Sequence, residues 1–260
     1  MPLKIPNHAE RLCQRISASI KPEIVRSRIT CLRNQDVLVI GSGPNPDLSW
    51  IQDDYKLVTC NGSAANAKKL GLPEPILTVI NSELISPETS LSKPGRVEII
   101  QNSMLSNLNL GILFVGQSNG RKGGEPEILK CNYDDLFRFN EYEIRYIFDK
   151  ASHIKLLNRK PHLSLCSTGA MAIASAVFLG ARSIKIAGFS FLKSTSNSKT
   201  HFYEIRQESN TSDASLNTRN HSAADSLLIS ALAVRGVKVE TREPEILQLV
   251  QNWGNQGASF

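Results

Sequence analysis

The stretch Val37-Leu38-Val39-Ile40-Gly41-Ser42-Gly43-Pro44 places a short apolar strand directly before a glycine-rich turn. Three further apolar segments lead into polar residues in the same way, at Asn61, at Asn81 and in Gly188-Phe189-Ser190. These strands alternate with helix-like segments, a pattern typical of an α/β fold with a Rossmann-like, mostly parallel sheet flanked by helices. Because ligands bind outside the carboxyl ends of the strands in such a sheet, we expect the four ends to converge on one crevice. Asparagine both donates and accepts hydrogen bonds, so the crevice suits a nucleotide or a sugar better than a metal ion or a hydride carrier.

The chain divides into four parts on composition and periodicity. We assign residues 1–35 to an N-terminal helical extension, 36–190 to a nucleotide-binding α/β core, 191–220 to a lid or acceptor loop, and 221–260 to the C-terminal part of the core. The lid follows from a polar run rich in Ser, Thr and Asn at 193–220, since a run of this length between core elements is unusual unless it is functional.

Apolar spacing and turn residues define the expected elements. In the extension, residues 7–32 are expected to form two short amphipathic helices broken at Pro22, which pack on the sheet edge or on a partner. In the core we expect strands at 37–40, 56–60, 76–80, 96–101, 112–115, 183–187 and 237–241, and helices at 47–52, 63–70, 142–157, 167–179 and 222–235.

Composition is that of an ordinary globular protein, with 41% hydrophobic and 21% charged residues and a formal net charge of +6. The basic residues are scattered, which indicates a solvated surface; an anionic ligand or an anionic membrane surface is the alternative. Five cysteines without a Cys-x-x-Cys pair fit a reducing compartment. No apolar run approaches the roughly 20 residues that span a bilayer. We expect a cytoplasmic protein, peripheral to the inner membrane at most, with no nucleic-acid partner.

The turn at 41–44 resembles the start of a dinucleotide fingerprint but lacks its third glycine, and Pro44 removes a backbone donor. About twenty residues on stands Asn61, where an acidic residue would hold a ribose diol. NAD is therefore disfavoured. The alternative is a tight strand-to-helix connection with no ligand.

Ser167-Thr168-Gly169 opens a strongly apolar helix, so its amides and hydroxyls face outward at the positive end of the helix dipole. This arrangement binds anions. The alternative is a plain cap, in which the missing side chain of Gly169 allows close packing.

His221 stands at the predicted junction of the polar run and a helix, with Asp225 four residues on. A histidine there suits acid–base chemistry, although a locally bonded helix residue is the alternative. His201 and Tyr203 lie within the predicted lid and would meet a ligand only on closure. The sequence contains no Asp-x-Asp, no His-x-x-x-His and no Gly-Lys-[Ser/Thr], so neither a metal cofactor nor kinase chemistry is expected.

The order of these motifs resembles the bacterial sialyltransferases of glycosyltransferase family 42, over roughly residues 36–240. That family has a Gly-Asn-Gly-Pro turn, a strand ending Arg-Cys-Asn, a strand ending in asparagine, a Thr-Ser-Gly helix start, a Ser-Gly-x-Asp-Phe strand end and a His-Ser helix start. This chain matches them at Gly41-Ser42-Gly43-Pro44, Thr59-Cys60-Asn61, Asn81-Ser82-Glu83, Ser167-Thr168-Gly169, Gly188-Phe189-Ser190 and His221-Ser222. The resemblance implies a GT-A-like variant of the fold with a small lid.

The implied activity is a metal-independent, inverting transfer of a nonulosonic sugar from a CMP-sugar to a glycan hydroxyl, as in cell-surface lipooligosaccharide. His221 would be the general base, assisted by His201 and Tyr203 in the lid. The implied donor contacts are Gly41, Ser42, Gly43, Pro44, Asn61, Asn81, Ser82, Ser167, Thr168, Gly169, Gly188, Phe189 and Ser190. The expected partners are the CMP-sugar, the glycan acceptor and a second copy of the chain in a homo-oligomer.

Two departures from the family pattern keep other functions open. The family uses a pair of lid tyrosines, whereas only Tyr203 lies in this lid, and Ser42 replaces the asparagine of the family's turn. The alternatives are transfer from CMP-Kdo, CMP-pseudaminic acid or CMP-legionaminic acid, a catalytically silent nucleotide-binding protein, and a Rossmann-like enzyme for another nucleotide or a methyl donor.

Overall fold

The computed structural model describes residues 8–43, 45–52, 54–86, 99–100, 102–116, 124–154, 166–189 and 214–254, with only the backbone for the helical residues 8–15, 214–223 and 253–254. Seven strands lie in these ranges: β1 (Asp36–Ile40), β2 (Lys56–Cys60), β3 (Leu77–Asn81), β4 (Ile112–Gly116), β5 (Asp135–Phe139), β6 (Ser183–Ala187) and β7 (Lys238–Thr241). They form one sheet in the order β5-β4-β3-β2-β1-β6-β7, and every neighbouring pair is parallel. The prediction of an α/β fold with a largely parallel sheet is confirmed.

Helices cover this sheet. They are α1 (His8–Arg28), α2 (Ser63–Lys69), α3 (Ser82–Ile85), α4 (Glu141–Ser152), α5 (Thr168–Phe178), α6 (Ala214–Val234) and α7 (Pro244–Gly254), with a 3₁₀ turn at Pro126–Leu129. None of the helices in the described ranges is both long and apolar enough to cross a membrane.

The order of the strands creates a switch point at β1. The chain runs outward from β1 through β2, β3, β4 and β5, and then returns to place β6 and β7 on the other side. Strand order therefore reverses between β1 and β6, which pair from Asp36↔Ser183 to Ile40↔Ala187. In open α/β sheets the crevice outside the carboxyl ends at this point is the ligand site.

Alternate side chains of β1 enter two separate cores, because successive residues of a strand point to opposite faces. Val37 and Val39 pack in the larger core with Ile173 of α5, whereas Leu38 and Ile40 pack in a smaller core beside α2. All four side chains are completely buried. Covering both faces of a parallel sheet in this way explains why β1 is apolar without alternation.

The N-terminal extension forms one helix and not two. Pro22 lies within α1, where it removes one helical hydrogen bond at a cost of roughly 3 kcal/mol. Packing on α4 offsets this cost: Ala18 and Val25 are buried, the Tyr146 hydroxyl donates to Glu23 Oε1 at 2.7 Å, and Lys21 lies 3.8 Å from a Glu143 oxygen. Tertiary contacts thus override the local helix breaker.

Removing the Tyr146 hydroxyl is expected to loosen α1. Burial, and then the neighbouring Glu23 carboxylate, raise the pKa of this hydroxyl, so it stays a donor across the physiological range. We expect Tyr146→Phe to lower the free energy of unfolding by about 1 kcal/mol in urea titrations. Tyr142→Phe is the matched control, because Tyr142 is exposed at the start of the same helix. Equal effects of the two variants would show that the bond to Glu23 contributes nothing.

Three other boundaries differ from the sequence prediction. α6 begins at Ala214 and not at Ser222, so residues 214–220 of the predicted lid are helical. α4 ends at Ser152 because His153 adopts a left-handed conformation, with φ of +58°. Residues 47–52 form a turn in place of a helix, since Asp47 Oδ1 accepts hydrogen bonds from the Ser49 N–H and hydroxyl at 3.0 and 2.7 Å.

The predicted strand at 96–101 is wrong for the two residues of it that the structure describes. Ile99 and Ile100 are helical, and Ile99 is buried in a third apolar cluster, with Leu113 and Val115 of β4. The strand β5 and the helix α7 were not predicted. In β5 only Phe139 is buried, because β5 is an edge strand and lacks the apolar run of the central strands.

Candidate functional site

Three glycines bring the turn after β1 against the end of β6. The Gly41 N–H donates to the Ala187 carbonyl at 2.9 Å, and the Gly43 N–H donates to the Gly188 carbonyl at 2.7 Å. A Cβ atom on Gly41 would lie 2.2 Å from the Gly188 oxygen, and one on Gly43 would lie 2.7 Å from it. Gly188 itself has a φ of +73°, which favours glycine. Close approach of two backbones therefore requires glycine at these positions.

This packing leaves the turn fewer hydrogen-bond donors for a ligand. The amide hydrogens of Gly41 and Gly43 are bound to the end of β6, so neither is free to hold a phosphate. Ser42 lies half-buried between them and already makes an interaction within the protein. The Gly41 and Gly43 amides therefore bind the end of β6, and Ser42 is the residue of the turn that remains a candidate ligand contact.

The carboxyl ends of β2 and β3 meet through their asparagines. Asn61 Oδ1 accepts a hydrogen bond from the Asn81 N–H at 3.1 Å, and Asn81 Oδ1 accepts one from the Glu83 N–H at 2.9 Å. Asn61 has a φ of +49°, a left-handed conformation that asparagine tolerates better than most residues. Ser82, the next residue along, is buried at the start of α3.

The asparagine pair carries hydrogen-bonding groups that a ligand at the strand ends could use. Each side-chain oxygen already accepts one hydrogen bond inside the protein, so the Nδ2 amides of Asn61 and Asn81 and the second lone pair of each oxygen are the groups that could contact a ligand. Both residues are half-buried at neighbouring strand ends. Two neutral amide donors side by side suit a carbonyl, carboxylate or phosphate oxygen.

The amino end of α5 adds further donors. Ser167 is its N-cap, and the Ser167 hydroxyl accepts from the Ala170 N–H at 3.1 Å. Thr168 and Gly169 are the first two helical residues, whose N–H groups have no acceptor within a helix. Partial positive charge collects at this end of the helix and favours anions.

Gly169 also has a packing role. A Cβ atom there would lie 2.3 Å from the Phe189 ring, which follows directly after β6. Phe189 thus joins the start of α5 to the Gly188 backbone and, through it, to the turn after β1. The strand ends of β1 and β6 and the amino end of α5 form one continuous wall.

A buried carboxylate from α6 lies at the amino end of α5. Asp225 is 2% exposed, and its Oδ1 accepts from the Ser167 N–H at 2.9 Å. Burial, followed by the charge of Asp225, raises the pKa of the adjacent Cys166 thiol, which is therefore a neutral thiol and no nucleophile. The sequence indicates Asp225 only as a residue near His221, and no local signal predicts its bond to Ser167.

A second carboxylate, that of Glu243, binds the backbone at the end of β6. Glu243 Oε1 accepts from the Gly188 N–H at 2.5 Å, and Thr241 Oγ1 donates to the Ile186 carbonyl at 2.9 Å. Glu243 directly precedes Pro244, the first residue of α7, and anchors that helix to the end of β6. The sequence Glu243-Pro244 is typical of a helix start, because proline is favoured at the first helical position. It does not indicate that Glu243 binds Gly188, which is distant in the sequence.

The Glu243 carboxylate gives a testable pH dependence. Burial raises its pKa from the ordinary value of 4.5, more than the Gly188 and Phe189 amides lower it. The unfolded state therefore loses this proton at lower pH than the folded state, and the wild type loses stability as pH rises through the raised pKa. We expect the free energy of unfolding of Glu243→Gln, relative to wild type, to increase from about pH 4 to pH 7. Glu245→Gln in the same helix is the control, and a constant difference between wild type and Glu243→Gln would contradict the assignment.

Several residues that were predicted for the site cannot be located relative to the strand ends of β1 and β6 and the amino end of α5. Pro44, Ser190, His201 and Tyr203 lie outside the described residues. His221 lies within α6, one turn before Asp225, and only its backbone is described; the His221-Ser222 pair is therefore inside a helix and does not open it. Within the described ranges no three His, Cys, Asp or Glu side chains are grouped closely enough to hold a metal ion.

Comparison with solved structures finds sialyltransferases of Campylobacter jejuni. The monofunctional α-2,3-sialyltransferase Cst-I is 14% identical to this chain, with a TM-score of 0.49, over 82% of this chain and 77% of its own. CstII in complex with the substrate analogue CMP-3FNeuAc is 15% identical, with a TM-score of 0.41, over 80% of both chains. CstII in complex with cytidine-5'-monophosphate is 15% identical, with a TM-score of 0.42, over 81% of this chain and 80% of its own.

No protein-family model matches the chain, and no curated protein sequence is similar to it.

Proposed function

We propose that this protein is a glycosyltransferase with a GT-A-like fold that moves a nonulosonic, sialic acid-like sugar from a CMP-activated donor to a glycan hydroxyl. The transfer inverts the anomeric centre and uses no metal ion. CMP-Kdo, CMP-pseudaminic acid and CMP-legionaminic acid are the other donors of the same chemical class.

The observation that carries the proposal is the contact between Asn61 and Asn81 at 3.1 Å, which sets two amide donors at neighbouring strand ends. Uncharged donors of this kind bind nucleotide and sugar oxygens. The order of the other motifs along the chain, from the Gly-Ser-Gly turn to Ser167-Thr168-Gly169, resembles that of the CMP-sugar-dependent sialyltransferases of family 42, which supports the proposal. A dinucleotide is not supported, since the amides of Gly41 and Gly43 are occupied.

Fixed donors would do the work that a metal does in other transferases. In the reaction the acceptor oxygen attacks the anomeric carbon, the bond from that carbon to the CMP phosphate breaks, and its electron pair leaves with CMP. The Asn61 and Asn81 amides and the Thr168 and Gly169 N–H groups would stabilise negative charge on the donor, which is preorganised electrostatic stabilisation.

His221 would accept the proton of the acceptor hydroxyl, since an imidazole has a pKa suited to a general base near neutrality. The part of the predicted lid that precedes α6, with His201 and Tyr203, would close over the donor. A closed lid excludes the water that otherwise hydrolyses CMP-sugars. The acceptor glycan would then enter from the α6 side of the crevice.

Donor turnover tests the proposal. Purified protein is incubated with CMP-sialic acid, CMP-Kdo, CMP-pseudaminic acid and CMP-legionaminic acid, and release of CMP is followed with and without a mixture of glycan acceptors. We expect slow CMP release from one donor and faster release when acceptor is added. Tight binding of CMP with no release from any of the four would contradict transferase activity and leave a nucleotide-binding protein.

A further inference from the structure

One face of α1 presents a row of isoleucines to solvent. Ile16, Ile20 and Ile24 are 56%, 55% and 47% exposed, whereas Ala18 and Val25 on the opposite face are buried. A spacing of four residues places the three side chains one above the other on a helix. Single exposed apolar side chains are ordinary, but a contiguous apolar patch marks a surface that binds a protein or a membrane. We call these three residues the isoleucine row.

Basic side chains border the isoleucine row on both sides. On a helix with about 3.6 residues per turn, Lys21 and Arg28 fall on one side of the row and Arg26 on the other. Lys21 Nζ lies 5.7 Å from the centroid of the Phe139 ring, and Arg26 Cζ lies 5.4 Å from that of Phe178, which are cation–π contacts. The Lys21 and Arg26 side chains nevertheless remain 46% and 48% exposed. The surface is therefore apolar along its middle and basic along its borders.

The net charge of α1 matches an anionic surface. Its 21 residues hold five basic and two acidic side chains, a net charge of +3, which is half of the +6 of the whole chain. Glu23, one of the two acidic residues, accepts from the Tyr146 hydroxyl and lies 3.5 Å from Arg26. Lys21 lies 3.8 Å from Glu143 of α4. With that partner included, the charge on this face of the protein is still positive.

A second copy of the chain is a poor occupant for this surface. At about 100 Å² of apolar surface each, the three isoleucines supply about 300 Å², whereas a stable protein–protein interface buries about 800 Å² on each partner. A symmetric contact of row on row would also bring together two helices of net charge +3, which repel each other. An anionic bilayer removes both difficulties, because it offers the opposite charge and needs no complementary shape.

We propose that α1 is an interfacial membrane-binding helix, which inserts the isoleucine row into the surface of a bilayer that contains anionic phospholipid. Lys21, Arg26 and Arg28 contact the headgroups, as basic residues beside apolar ones do in such helices. Lys21 also donates to the Arg138 carbonyl near the carboxyl end of β5, so that end of the sheet lies close to the bilayer. The strand β3, which ends at Asn81, is two strands away, roughly 10 Å. Membrane binding of this kind does not require the transferase activity proposed above.

Cosedimentation of the full chain with vesicles tests the proposal. Vesicles of phosphatidylcholine alone are compared with vesicles of equal parts phosphatidylcholine and phosphatidylglycerol. We expect the mixed vesicles to bind the protein at least about tenfold more tightly, because each basic side chain near an anionic surface strengthens binding severalfold. Raising the salt concentration should reduce this preference by screening the charges.

The double variant Ile16→Ser/Ile20→Ser removes apolar surface and leaves every charge in place. We expect it to bind the mixed vesicles about tenfold to a hundredfold more weakly than wild type, since apolar side chains no longer enter the bilayer. Val234→Ser/Leu247→Ser is the matched control, because these side chains are 54% and 38% exposed on α6 and α7, and it should bind like wild type. Matching unfolding midpoints in urea show that both variants fold.

The basic border is tested by Arg28→Gln, which should bind the mixed vesicles about fivefold more weakly. Equal binding by wild type and the isoleucine variant, or no binding of wild type to mixed vesicles, would overturn the proposal. Sedimentation velocity examines the other occupant: a wild-type dimer that dissociates in Ile16→Ser/Ile20→Ser would assign the row to a second copy and also overturn it. These measurements contain no nucleotide or sugar, so either result leaves the proposed function standing.

Discussion

Replacing Gly41 with alanine is expected to lower the free energy of unfolding by about 3 kcal/mol or more, the upper range for forcing extra atoms into packed structure. The new Cβ would lie 2.2 Å from the Gly188 oxygen and 2.9 Å from the Phe189 ring. The oxygen belongs to the backbone and cannot rotate away, so β1 and β6 must separate at the switch point. Denaturant unfolding measures the loss, and CMP binding should disappear with it.

The matched control for this prediction is Gly236→Ala. Gly236 has a φ of +73°, and a Cβ atom added to it would have no other atom within 4 Å, so alanine there costs backbone strain alone. We expect that cost to be about 1 kcal/mol. If Gly41→Ala proved no more destabilising than Gly236→Ala, the close contact between the β1 turn and β6 would be wrong.

Replacing His221 with alanine is expected to lower kcat for sugar transfer by about a hundredfold to ten-thousandfold, the usual contribution of a general base. CMP affinity should be unchanged, because the proton is taken from the acceptor and not from the donor. Steady-state kinetics with the best donor, combined with calorimetric titration of CMP, separates these two effects.

The control for His221 is His153→Ala, since His153 is exposed at the end of α4. Full transfer activity in His221→Ala would remove the general-base assignment while leaving the nucleotide site in place. Loss of both activity and CMP binding would instead indicate that His221 supports the fold of α6.

The central sheet was predictable because its strands are short apolar runs that stop at polar or glycine residues. β1, β2, β4 and β6 lie within one residue of their predicted bounds, since burial on both faces leaves a signal that does not depend on distant contacts. The approach of Asn61 to Asn81 follows from the same reasoning, as adjacent parallel strands end at the same edge.

The elements and contacts that were not predicted from the sequence have a common physical cause: each depends on packing within the folded chain and not on the local sequence. α1 continues through Pro22 because contacts with α4 offset a local cost, and β5 is an edge strand with little apolar signal. The acceptors for Ser167 and Gly188 are Asp225 and Glu243, residues that are far away in the sequence. Nothing local to either carboxylate indicates its partner.

Ligand-induced thermal stabilisation shows whether the crevice at the strand ends binds CMP in preference to other nucleotides. CMP, CDP, UDP, GDP, NAD and S-adenosylmethionine are compared at equal concentration, because a ligand that binds the native state raises Tm by mass action even at modest affinity. We expect CMP to raise Tm selectively, and Asn61→Ala to weaken this response. No response to CMP, together with a clear response to another of these ligands, would contradict a CMP-sugar site.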